Sequence, residues 1–166
     1  TGTSYTDGQS VTDLATLPTD EITLYAQWTV VNYTITYKLG GGEALNPSAF
    51  VSSYNIESTV TLPSASDFKP REGLTFVGWY KDSAYVTGPV TEIPLGSSGN
   101  VEFYARWEEN TYTVTFDVDG VVTGKTYVHG EKISDHMTEP SKDGFEFAGW
   151  NTARDGSGTS YEDEAS

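Results

Sequence analysis

Ile22-Thr-Leu-Tyr-Ala-Gln-Trp28 returns as Val101-Glu-Phe-Tyr-Ala-Arg-Trp107, and the two tryptophans stand 79 positions apart. Asn32-Tyr-Thr-Ile-Thr-Tyr37 returns as Thr111-Tyr-Thr-Val-Thr-Phe116, with Tyr33 and Tyr112 the same 79 positions apart. Gly73-Leu-Thr-Phe-Val-Gly-Trp79 returns as Gly144-Phe-Glu-Phe-Ala-Gly-Trp150, 71 positions on, so the second copy has a shorter loop. Gly2-Thr-Ser-Tyr5 comes back as Gly158-Thr-Ser-Tyr161. Three aromatic-rich blocks in one order, twice, define a repeat unit. A chain of such units folds as small cores in series, each interacting chiefly with its neighbours.

The phase of the repeat divides the chain unevenly. A full unit runs from the Tyr-Thr-Ile-Thr block, through Gly-Trp, to the Leu-Tyr-Ala-Gln-Trp block, and only residues 32–108 hold all three. Residues 1–28 read as the C-terminal part of a preceding unit and 111–166 as the N-terminal part of a following one. Short linkers are expected at Thr29–Val31 and Glu108–Asn110, leaving little freedom between units.

Each block alternates with a period of two, the signature of a half-buried strand. Ile22, Leu24, Ala26 and Trp28 share one face; Tyr33, Ile35, Tyr37 and Leu39 share another, opposite Thr34, Thr36 and Lys38. β-Branched and aromatic residues suit a pleated, half-covered surface. Asp119-Gly120 between two such runs predicts a hairpin over 112–128. Helix is expected to be scarce. The best candidate is Thr6–Leu17, closed by Pro18. A unit of about 77 residues is near the lower limit for an independent core, and the sequence contains no cysteine to staple it. Its stability is therefore expected to rest on recurring anchors: Trp28, Trp79, Trp107, Trp150, Tyr33, Tyr112, Phe76 and Phe147, with Gly78 and Gly149 beside the tryptophans.

These blocks resemble the Listeria–Bacteroides repeat, the B repeat of internalin B-type surface proteins. The resemblance covers nearly the whole chain, once as a complete unit and twice as fractions. It implies an α+β, β-rich fold of tandem small β-grasp (ubiquitin/SUMO-like) units, each a mostly four-stranded sheet around a short helix. It also implies an extracellular place on a bacterial cell surface, as a stalk or spacer, and no catalytic residues. The complete unit departs from the pattern by a longer stretch between Leu39 and Gly73 that includes Gly40-Gly-Gly42.

Charge and motifs narrow the functional classes. A net charge of −15 repels phosphate backbones and anionic lipid, so nucleic acid and membrane surfaces are poor partners. No apolar run approaches the roughly 18 residues of a spanning helix, so no membrane insertion is expected. His129 and His136 lack a ligand set and read as surface loop residues; no metal, cofactor or catalytic site is expected. Asp117-Val-Asp-Gly120 and Asp155-Gly-Ser-Gly158 lack the remaining ligands of a calcium loop and read as turns. Lys38 is a candidate for an intramolecular cross-link, and Asn32-Tyr-Thr34 matches a glycosylation sequon. Tyr25 and Tyr104 form the alternative, a platform for a glycan or host receptor in an adhesin module. The leading expectation is a non-catalytic structural segment of a surface or filament protein. Its partners would be neighbouring repeats of the same array or of another copy, joined head-to-tail where 1–28 supplies what 111–166 lacks.

Overall fold

The computed structural model describes residues 4–9, 21 and 23–161. The chain divides into two compact units, Thr1–Val30 and Val31–Ser166. In the first, Thr6–Gln9 forms a turn, with the Gln9 amide donating to the Thr6 carbonyl at 3.1 Å. Most of the helix expected over Thr6–Leu17 lies outside the described residues. Residues 23–28, expected as a strand, pair with no strand among the described residues, and Leu24, Tyr25 and Trp28 are exposed. A strand exists only by hydrogen bonding to a neighbour, and alternation cannot provide that neighbour.

Among the described residues the second unit holds ten strands: β1 (Tyr33–Lys38), β2 (Ser53–Tyr54), β3 (Val60–Thr61), β4 (Leu74–Tyr80), β5 (Glu92–Ile93), β6 (Val101–Glu109), β7 (Thr111–Val118), β8 (Val121–Val128), β9 (Trp150–Asn151) and β10 (Ser160–Tyr161). β1, β2, β4 and β6 form a mixed sheet in the order β2-β1-β6-β4. Its central pair, β1 and β6, is parallel, with Ile35 opposite Val101 and Tyr37 opposite Phe103. The outer pairs are antiparallel. β3 pairs with β5, β7 with β8, and β9 with β10. The protein is thus β-rich with mixed sheets. Among the described residues, helix is limited to three 3-10 turns at Pro47–Ala49, Ala65–Asp67 and Ile133–Asp135. Pro, Gly and Ser punctuate the stretch from Gly40 to Pro70 too often for a longer helix to propagate.

Alternation in β1 matches the burial: Tyr33, Ile35 and Tyr37 face inward, and Thr34, Thr36 and Lys38 face water. The core of this part joins Ile35, Tyr54, Val60, Leu62, Phe68, Trp79, Ile93, Phe103 and Ala105. β6 is longer than its repeated block, because Glu108 and Glu109 pair with Thr75 and Leu74 of β4. The linker expected at Glu108–Asn110 therefore shrinks to Asn110 alone. The expected hairpin is formed by β7 and β8. Its turn residues Asp119 and Gly120 both have positive φ, 52° and 92°, as a two-residue loop matching strand twist requires.

Candidate functional site

Three places in the second unit carry the repeat's construction: the slot that holds β6, the junction at Asn110, and the groove beneath the β7–β8 hairpin. In the first, β6 is clamped between β1 and β4, and Trp107 closes the core near its end. The Trp107 indole N–H donates to the Leu39 carbonyl at 3.0 Å. Its ring meets Phe68 at 5.1 Å and Phe76 at 5.4 Å, while the Arg71 guanidinium lies 4.7 Å above it. Trp79 is 1% exposed, and its N–H donates to the Pro63 carbonyl at 2.7 Å. Gly78 leaves room for Pro89, whose Cβ would lie 2.7 Å from any added Cβ. Tyr33 stacks on Tyr54 at 5.7 Å. The anchors Trp79, Trp107, Phe76, Gly78 and Tyr33 thus come together around one core.

Trp150 and Phe147 meet elsewhere. Trp150 packs on Phe116 at 4.7 Å and on Phe147 at 5.2 Å, beneath the hairpin. Gly149 beside it has φ 110°. Tyr112 is 49% exposed and Trp28 90% exposed. Below the hairpin lies an open cavity of about 1080 Å³ lined by Phe116, Tyr127, Phe147 and Trp150 among others. The Trp150 indole N–H is buried without an acceptor among the described residues.

The junction is built from side chains that alternation could not single out. The Asn110 amide donates to the Gly73 carbonyl at 2.8 Å, and the Thr75 hydroxyl donates to the Asn110 side-chain oxygen. Gly73 has φ 69°, and a Cβ there would sit 2.6 Å from the His129 Cβ. The His129 Nε2 lies 3.5 Å from the Glu72 carboxylate. The loop entering β4 therefore touches both strands' ends of the following hairpin. No local signal marks Gly73, Glu72 and His129 as partners, since 56 residues separate Gly73 from His129. Phe50 and Phe68 were missed too: neither lies in a repeated block, yet Phe68 touches Trp79, Phe76 and Trp107. One signal was visible. Asp67 and Asp135 each follow three residues after the backbone amide they accept from, Ser64 and Lys132, both at 2.8 Å.

The remaining candidates sit in ordinary surface chemistry. His136 meets Tyr127 edge-on at 4.9 Å and faces Glu131 at 3.2 Å. The Asp117 carboxylate accepts from the Gly120 amide, and Asp155 from the Ser157 amide, as turn residues do. Lys38 pairs with Glu102 at 3.2 Å. The Tyr104 hydroxyl donates to the same Glu102, and this bond, with the Lys38 ammonium, holds the Glu102 carboxyl below its usual range. The same bond raises the Tyr104 phenol. Tyr104 is thereby tied to Glu102 through its hydroxyl. Asn32 accepts from the Asn55 amide at 3.3 Å. The Asp82 carboxyl is lowered by backbone amides of Val86, Thr87 and Ala84 that it gathers into a loop. Among the described residues, no group of three or more His, Cys, Asp or Glu side chains could hold a metal. Nor, among the described residues, is any helix long and apolar enough to cross a membrane.

The family model of the Listeria–Bacteroides repeat domain matches residues 33–106 and again 112–166, most of the chain. The chain belongs to the Listeria–Bacteroides repeat family. It is 30% identical over 159 residues to Internalin H of Listeria monocytogenes serovar 1/2a, covering 96% of this chain and 27% of that protein. It is 30% identical over 151 residues to a protein of Evansella cellulosilytica named as a membrane protein, covering 86% of this chain and 21% of the other. A Gly-rich membrane protein by name, from the same organism, is 32% identical over 140 residues, 83% of this chain and 15% of its own length. The chain thus spans at most about a quarter of these relatives. No solved structure matches it. The Listeria–Bacteroides repeat places the chain among extracellular repeat domains of bacterial surface proteins.

Proposed function

We propose that this chain is a stalk or spacer segment built from β-grasp units that hold an adhesive part away from a bacterial surface. The sheet order supports the β-grasp reading: first and last strands of the complete unit lie parallel at the centre, with antiparallel partners outside. Complete unit 32–108 is followed by the front of another, 111–166, and preceded by the back of a third, 1–28. Such split units complete one another head-to-tail. The observation that carries the spacer reading is the junction. Only Asn110 separates β6 from β7, and its amide and side chain both bond to the loop and strand start around Gly73 and Thr75. A hinge would leave that backbone free. The parallel β1–β6 pair also favours resistance to pulling, because it joins the two ends of the unit and must shear as a whole.

Force spectroscopy on the full chain held between two handle domains tests this. The complete unit is expected to rupture in one step, releasing roughly 25 nm of chain at ~3.3–3.6 Å per extended residue. Smooth extension with no such step would overturn the spacer reading.

A further inference from the structure

We infer that Arg71 is a mechanical latch of the complete unit. Its guanidinium straps the turn leaving β1 to Trp107 of β6, across the line along which the two strands slip under tension. The inference rests on the spacer reading above and assigns the residue that governs how long a loaded unit holds.

The direction of slip follows from the register. β1 opens the unit, β6 closes it, and the two run parallel. Tension carried through the chain therefore draws β1 towards Tyr33 and β6 towards Glu109. Their pairing ends at Lys38 opposite Tyr104. Leu39 is one residue past that end and Trp107 three residues past it, so slip in this direction lengthens any link between them. Such a link exists, the Trp107 indole bond to the Leu39 carbonyl at 3.0 Å. It stands where the ladder has stopped.

Arg71 closes over the same place from a third segment, the loop entering β4. Its Nη1 donates to the Gly40 carbonyl at 3.1 Å, while the guanidinium lies 4.7 Å from the centre of the Trp107 ring. One side chain thus holds both partners of the slipping pair. The glycines at 40–42 let the turn pass beneath it. A Cβ at Gly42 would stand 2.6 Å from the Trp107 ring, and one at Gly41, where φ is 84°, 3.2 Å from the guanidinium. Just beyond, the Lys69 amide donates to the Glu43 carbonyl at 2.8 Å, and the Lys69 ammonium pairs with the Glu43 carboxylate. The turn is thereby fixed to the Arg71 segment on its far side as well.

The use of charge sets Arg71 apart. Carboxylates outnumber Lys and Arg by 24 to 9, yet Arg71 pairs with no carboxylate among the described residues. It serves a carbonyl and an aromatic face instead, and a planar guanidinium suits both tasks together. The repeat supplies a second, independent observation. Gly73 recurs as Gly144 and Tyr33 as Tyr112, so Arg71 corresponds to Lys142 and Gly40 to Asp119. Lys142 reaches Asp119 at 2.8 Å. In both copies a cation two residues before the glycine spans to the turn leaving the first strand, although both partners have changed. What the repeat keeps is the strap.

Force-clamp measurement on the full chain, with handles at its two ends, reads the lifetime of unit 32–108 at constant force. Arg71→Ala is expected to shorten that lifetime roughly tenfold, the effect of losing one charge-assisted hydrogen bond. Arg71→Met, which keeps an unbranched stem for Trp107 but no donor, is expected to match it. A second pulling axis separates a latch from general stability. The chain has no cysteine of its own, so handles can be placed by Ser83→Cys and Ser98→Cys. These draw β4 and β6 apart from their Tyr80–Tyr104 end, remote from Trp107, and there Arg71→Ala is expected to keep the wild-type lifetime. An unchanged end-to-end lifetime in either variant would overturn the latch, as would equal shortening along both axes. In those cases the wild-type unit still ruptures in one step and the spacer reading stands. Smooth extension of the wild-type chain would instead remove the spacer reading, and the latch with it.

Discussion

Four tryptophans stand at two repeated places in this chain, and neighbouring structure gives each a different value. Trp79 is wrapped by Phe50, Phe68, Phe76 and Tyr37 and bonded to Pro63. Trp107 is half-buried under Arg71. Trp150 has a partial core and an unmet N–H, and Trp28 is exposed. Trp79→Ala is expected to cost about 3–5 kcal/mol for the lost ring and its cavity. That is comparable with the whole stability of a small domain, ~5–15 kcal/mol, so the complete unit should be largely unfolded or close to it. Trp28→Ala in a dilute chain should stay within about 0.5 kcal/mol. Urea denaturation followed by far-UV circular dichroism separates the two. Repetition in the sequence marked all four equally, because it reports what each position does in a finished unit.

Strand identity was legible from alternation in β1, β4, β6 and β7, and the hairpin from Asp119-Gly120, because both depend on backbone preferences within a few residues; residues 23–28 and 144–149 alternate too, yet lie in no strand. Strand length was less so. β6 runs on through Glu108 and Glu109, two residues with weak strand preference, because Leu74 and Thr75 lie beside them to accept the pairing. The same partnership turns an expected linker into a nearly continuous passage from β6 to β7. Gly73 holds that passage through its left-handed backbone and its contact with His129. Gly73→Ala is therefore expected to cost about 1–2 kcal/mol from the backbone alone. It should loosen the junction before the core, with hydrogen exchange at the Asn110 amide speeding up while the Trp79 region keeps its protection. Equal loss of protection in both would mean that the junction and the core are one cooperative element.

The second unit contains one finished core and one unfinished one. Around Trp79 the buried apolar residues are contiguous. Beneath the hairpin, Phe116 and Tyr127 are buried, while Phe145, Val121 and Val122 face water. Stability follows buried apolar area at about 25 cal/mol per Å², so the chain is expected to unfold in two stages. In dilute solution, β7 and β8 amides should exchange at lower urea than those of β4 and β6, as read by hydrogen exchange; a single coincident transition would contradict this. The sequence by itself determined the repeat, the β-rich character and the family, since periodicity and turn chemistry act through bonds between near neighbours. Only the tertiary structure decided the strand order, the capture of Asn110 by Gly73 and Thr75, and the difference between Trp79 and Trp28. Those depend on residues far apart in the chain meeting across a sheet, and pairing across a sheet has no local signature.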